Sequence, residues 1–193
     1  MARKVEFNRE DIINAAFKVV QKGGMKTLTA RNIARRLNAS TAPVYAHFRS
    51  MKKLKKKVFL LIKDTFLEYL RTPYSDDRFF NQGIGYIMFA KKEPHLFNVL
   101  FTEKNTAQEA CQNLNELLLE DLNEVKELSI LSKEDKLELL RKMWIYSHGI
   151  ATLSIAGVLP SNDNEFLIEL FAEGGEDIIG NTLKTKKDHI KSI

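Results

Sequence analysis

Residues 27–50 read Thr27-Leu28-Thr29-Ala30-Arg31-Asn32-Ile33-Ala34-Arg35-Arg36-Leu37-Asn38-Ala39-Ser40-Thr41-Ala42-Pro43-Val44-Tyr45-Ala46-His47-Phe48-Arg49-Ser50. Thr29 caps a short helix from Ala30 to Leu37, with Ile33, Ala34 and Leu37 on its inward side. Asn38 suits the left-handed position that follows, because its short side chain tolerates positive φ. Ser40 or Thr41 caps a second helix running to about Phe48, and Pro43 falls in its first turn, where a missing N–H costs nothing. Two short helices joined by the tight turn Leu37-Asn38-Ala39-Ser40 form a helix-turn-helix.

Helix pairs of this kind are common, and the faces of the second helix say more. At 100° per residue, Val44 and Phe48 define a core side. Ala42, Pro43 and Ala46 form a small, uncharged strip opposite, flanked by Tyr45 and His47. Small side chains let a backbone approach the major-groove floor and touch thymine methyls. Hydroxyl and imidazole groups on the flanks reach phosphates and set the register. Alone, Tyr45 reads as a rim residue over the core and His47 as an exposed or locally bonded histidine; their placement about the strip favours DNA.

The flanking segments extend the pattern. Upstream, Asn8 caps a helix with Asp11 at its third position, a staple of Phe7 and Ile12, and a stop at Gly23-Gly24. Downstream, Ser50 caps a helix to about Leu70, with Leu54, Val58, Leu61, Ile62 and Phe66 inward. Its first turns hold Lys52, Lys53, Lys55, Lys56 and Lys57. Cations at a helix start oppose the macrodipole, and the pairs four apart repel each other. A phosphate backbone would remove that conflict. Arg31, in the first turn of its helix, raises the same question.

Charge is divided accordingly. Residues 1–58 carry 15 Lys and Arg against 3 acids, and residues 59–193 carry 15 against 22. One end therefore suits a polyanion. No apolar run approaches the ~20 residues needed to span a bilayer, and the basic start Met1-Ala2-Arg3-Lys4 leads into no signal-like apolar stretch, so a cytoplasmic protein is expected. Cys111 is the only cysteine, which excludes an internal disulfide. His47, His95, His148 and His189 are scattered, and Gly83-Ile84-Gly85 lacks the strand of a nucleotide fingerprint. No enzyme, metal site or cofactor is expected.

At residues 8–58 the chain resembles the tetracycline-repressor (TetR/AcrR) family, on the string Thr27 to Leu37 followed by Val44-Tyr45-Ala46-His47-Phe48-Arg49-Ser50. The resemblance implies an all-α protein of about nine helices: a three-helix reading head, residues 1–50; a connecting helix, 51–71; and a sensor and dimerisation domain, 72–193. It implies DNA contacts at Arg31, Thr41, Ala42, Pro43, Tyr45 and His47. The family's turn usually carries Gly where Asn38 stands, and its next helix opens with lysine where Met51 stands, so Lys52 or Lys53 takes the phosphate contact. The implied activity is that of a repressor, binding a palindromic operator as a homodimer and released by a small molecule. A DNA-coating or protein-interaction module of the same fold is the alternative.

In the C-terminal part, helices are expected near 77–92, 94–102, 106–128, 133–157 and 164–187, with Ser132 and Asp135 as a capping box and a break at Pro160 to Asn162. Gly149, Gly157, Gly174, Gly175 and Gly180 lie in or at the ends of the last two, where each glycine costs ~1 kcal/mol relative to alanine. Close helix approach is the expected reason, either in a four-helix dimer interface or within the chain. Phe89, Phe97, Phe101, Cys111, Met143, Trp144 and His148 are candidate linings of a ligand pocket, although aromatic residues and methionines at helical spacing also build ordinary cores.

Overall fold

The structure, a computed structural model, describes residues 6–102, 118–120, 122, 123 and 125–191, with the main chain alone at 78 and 189–191. Cys111 and most of the helix expected over 106–128 lie outside the described residues. The described chain is all-α, without a strand. Its helices are α1 (Arg9–Gly23), α2 (Ala30–Arg36), α3 (Ala42–His47), α4 (Met51–Arg71), α5 (Arg78–Lys92), α6 (Pro94–Phe101), α7 (Lys133–Ala156) and α8 (Asn164–Lys191). The last runs past the expected 187, and Lys184, Lys186 and Lys187 favour that C-terminal end through the macrodipole. The chain divides into two compact units, residues 1–65 with 95–106 and residues 66–94 with 107–193. The division passes through α4 and groups most of α6 with the N-terminal unit.

In the first unit, the capping box of α1 is reciprocal: Asp11 N donates to Asn8 Oδ1 and Asn8 N to Asp11 Oδ2, each at 2.9 Å. Gly24 ends the helix at φ +76° and Asn38 takes φ +50° after α2. Asn32 N donates to Thr29 Oγ1, which caps α2. Thr41 precedes α3 without a side-chain cap, while Ala42 N reaches Ser40 Oγ at 3.4 Å. Ile12, Ala16, Val20, Ile33, Val44 and Leu54 are fully or almost fully buried, which packs α1, α2 and α3 about one small core. In α6, Phe97 and Phe101 are buried with ring centroids 5.0 Å apart.

In the second unit, α5 packs against α7 and α8, and α7 against α8. Residues 84–90 of α5 are all buried, the signature of a helix enclosed on every side. Its two glycines make this possible. A Cβ on Gly83 would penetrate the Phe171 ring of α8, and one on Gly85 would collide with the Tyr69 carbonyl of α4. Buried Asn81 ties down the connector before α5: Oδ1 accepts from Tyr74 N, Ser75 N and Ser75 Oγ, while Nδ2 donates to Ser75 O. Ser132 and Asp135 form the expected capping box of α7, and Asp135 also pairs with Lys186 of α8 at 2.6 Å.

Gly85→Ala should cost about 1–3 kcal/mol, because backbone rather than a mobile side chain must yield; urea unfolding of the two proteins measures it. The bonds from Lys186 and Ser132 hold the Asp135 carboxyl at about 2, below its ordinary 3.8. Because the folded pKa is depressed, the associated stability is present above 3.8 and is lost as pH falls toward about 2. Asp135→Asn should therefore lower the unfolding midpoint at neutral pH, by a difference that shrinks as the pH falls from 3.8 toward about 2.

Candidate nucleic-acid interface and core cavity

A helix of six residues is too short to be stable alone, so α3 depends on its anchors. Val44 and Phe48 are buried beneath it. Phe48 leaves the helix in an extended conformation, and the Arg9 guanidinium lies over its ring, 5.1 Å from the centroid. His47 Nε2 lies 2.7 Å from the Phe7 carbonyl oxygen, an arrangement in which the ring N–H donates. Two contacts thus fasten the end of α3 to the start of α1.

The opposite side of α3 is bare. Ala42, Tyr45, Ala46 and His47 are exposed, Tyr45 at 56%, and Thr41 and Pro43 are partly exposed. Arg31 on α2 and Lys52, Lys53, Lys55, Lys56 and Lys57 on α4 are also exposed. The first unit therefore brings together a small-residue strip, an exposed tyrosine and a set of cations. One His47 nitrogen is engaged by protein, so Nδ1 is the atom left for a phosphate, and donating from it requires the doubly protonated ring. Arg9 was not among the candidate residues of the sequence; nothing in its spacing marks it, since its role comes from the packing of α1 on α3.

The second unit contains a cavity of about 40 Å³ bordered by Phe79, Gln82, Tyr86, Met143, Trp144 and Phe171, with Leu70, Gly83, Leu118, Leu140 and Ser147 completing it. Among the described residues, no side chain charged at neutral pH lines it. The Trp144 indole Nε1–H is buried without a hydrogen-bond acceptor among the described residues. His148, one turn further on, packs on Trp144 at 5.6 Å and shares a 2.8 Å hydrogen bond between Nδ1 and the Tyr86 hydroxyl. Burial lowers the His148 pKa and favours the neutral ring.

Of the seven candidate pocket residues, Met143 and Trp144 line this cavity and His148 adjoins it through Trp144. Phe89 is fully buried among Phe66 and Tyr69. Phe97 and Phe101 belong to the other unit, and Cys111 lies outside the described residues. Gln82 and Tyr86 were missed, although polar groups four apart on a strongly apolar helix are a readable sign. Among the described residues, no cluster of His, Cys, Asp and Glu could hold a metal ion, and no helix is long and apolar enough to cross a membrane.

The glycines of α7 and α8 divide. Gly174 and Gly175 lie against Tyr146 and against Phe80 and Met143 of the same chain, and Gly157 caps α7 at φ +68°. Among the described residues, nothing lies within 4 Å of where a Cβ on Gly149 or Gly180 would stand.

Comparison with known proteins bears on both units. Residues 12–58 match the family model described as bacterial regulatory proteins, tetR family, and residues 79–173 match the tetracyclin repressor-like C-terminal domain. No curated protein matches the chain. Among solved structures, the fold resembles that of a candidate TetR-family transcriptional regulator from Rhodococcus sp., with a TM-score of 0.64 and 13% identity, covering 89% of this chain and 98% of that one. It also resembles a TetR-like transcriptional regulator from Rhodococcus sp. RHA1, at 0.60 and 17%, covering 90% and 97%. A transcriptional regulator from Rhodococcus sp. Rha1 aligns at 0.59 and 15%, covering 93% and 97%. At these identities the structures speak for the fold alone. The two family matches together span most of the chain, the first lying within the N-terminal unit and the second covering the packed helices α5 and α7 and the start of α8: the chain belongs to the tetR family of bacterial regulatory proteins.

Proposed function

We propose that the protein is a sequence-specific DNA-binding regulator that acts as a cytoplasmic homodimeric repressor and is released from a palindromic operator by a small molecule. The observation that carries the DNA reading is the bare face of α3: an exposed tyrosine beside Ala42 and Ala46, flanked by cations that no stability argument explains. In this reading Thr41, Ala42 and Pro43 meet base edges, Tyr45 and Arg31 meet phosphates, and Lys52 or Lys53 binds the backbone ahead of α4. His47 acts first by holding α3 against α1 and contacts phosphate only through Nδ1. The domain roles follow the expected division, with 1–50 as head, 51–71 as connector and 72–193 as sensor and dimer module.

Dimerisation is supported by α7. At helical spacing, Ile145, Gly149, Thr152 and Ala156 share one side; Ile145 is 60% exposed, and Leu153 and Val158 nearby are exposed as well. In an isologous pairing, the exposed Arg141 and Lys142 of one copy can meet the acidic face of α8, which carries Glu169, Glu173 and Glu176. Two heads would then meet successive major grooves, about 34–36 Å apart. Ligand and DNA would each weaken the other by the same factor.

The full chain should bind duplexes from its own upstream region several powers of ten more tightly than random duplex at physiological salt. Equal affinity for both would instead favour a DNA-coating module. Whichever of Lys53→Gln and Lys52→Gln removes the phosphate contact should lower affinity for all sequences and reduce the salt slope by about 1. Tyr45→Phe should weaken binding without changing base preference. Ile145→Glu should shift the protein from dimer to monomer in sedimentation while leaving its helical content intact; a dimer that persists would place the interface elsewhere.

A further inference from the structure

We infer that the cavity of the second unit is a receptor for a small, uncharged, largely apolar ligand carrying a hydrogen-bond acceptor that meets the Trp144 indole N–H. The inference deepens the effector part of the regulator reading and rests on it. Three observations set the chemistry. First, the wall is largely apolar and aromatic, and a carboxylate or ammonium placed there would find no counter-charge among the described residues that line it. His148 beside the wall does not supply one, because burial keeps its ring neutral and Nδ1 is engaged with Tyr86. Second, Trp144 Nε1 is a buried donor with no acceptor among the described residues, and buried donors are normally satisfied. Third, Ser147 Oγ, also on the wall, spends its proton on the Met143 carbonyl at 2.8 Å, so it offers lone pairs rather than a competing donor.

Size is the remaining constraint. A void of about 40 Å³ holds only a few waters at most, and a ring-sized guest needs more room. The wall includes parts that can yield. Met143 is unbranched and adaptable, and the Phe171 ring rests on Gly83, where no side chain blocks it. Met143 and Trp144 belong to α7 and Phe171 to α8, the two helices assigned to the dimer interface. Entry of a ligand therefore works directly on that pair of helices.

Because Trp144 is the only tryptophan, the ¹⁵N-indole spectrum of the full chain contains a single side-chain resonance from this wall. Three probes separate the terms: acetophenone, which has the ring and an acceptor; α-methylstyrene, the same shape without the acceptor; and benzoate, which is charged. At millimolar concentration, acetophenone should raise the melting temperature and move the indole proton downfield. α-Methylstyrene should bind roughly tenfold more weakly, the loss of one neutral hydrogen bond, with no downfield shift. Benzoate should not bind. Trp144→Phe should bring acetophenone and α-methylstyrene to near parity; if that variant fails to fold, the indole shift in the unaltered chain decides. The inference is overturned by equal indole shifts with both neutral probes, by binding of benzoate as tight as that of acetophenone, by a preference that survives Trp144→Phe, or by no stabilisation from any probe. Binding of upstream duplex by the same preparation is measured in parallel. Its loss would sink the regulator reading, whereas intact DNA binding without probe binding sinks only the ligand assignment.

Discussion

The exposed face of α3, the surface proposed to meet DNA, depends on how six residues are held. In water, nucleating a helix costs more than so short a segment recovers, so the shape of α3 is borrowed from its neighbours. Val44 and Phe48 provide the hydrophobic hold, Arg9 closes over Phe48, and the His47 ring reaches the Phe7 carbonyl. These contacts use one side of the helix and leave Ala42, Tyr45 and Ala46 bare. A reading helix has to be rigid in position and free on one face, and both properties follow from anchoring at its C-terminal end.

The second unit meets a different constraint. Its central helix α5 is buried along residues 84–90, so its neighbours must approach closely. Gly83 and Gly85 allow that approach at Phe171 and Tyr69. The packing is dense around Phe89 and incomplete around Trp144, where an indole N–H is left without an acceptor among the described residues. A core built only for stability would satisfy or remove that donor, so the defect coincides with the place where a regulatory ligand is proposed to act.

Much of the head was legible because its signals are local. The Asn8–Asp11 capping box, the positive φ at Asn38 and the inward positions Ile33, Ala34, Leu54, Val58 and Ile62 all depend on residues within one or two turns. Contacts between distant parts of the chain were not legible. His47 and Tyr45 look like equivalent flanks in sequence, yet the ring of His47 also binds a carbonyl 40 positions away. Asn81 gives no local sign that it gathers the connector at Tyr74 and Ser75. Gly83-Ile84-Gly85 could be excluded as a nucleotide loop, but its packing role required knowing what crosses it.

The same distinction separates what each level determined about the protein as a whole. The sequence by itself determined the helical class, the caps, the basic N-terminal segment and the composition of the small-residue strip on α3, because periodicity, capping and charge are properties of neighbouring residues. Only the tertiary structure decided which candidates meet. It placed Met143 and Trp144 on one cavity wall and Phe97 and Phe101 in the other unit, and among the described residues it left Gly149 and Gly180 open while filling the space at Gly174 and Gly175. Burial and proximity are set by how helices cross, and the crossing of α5, α7 and α8 is the joint result of side chains far apart in the chain.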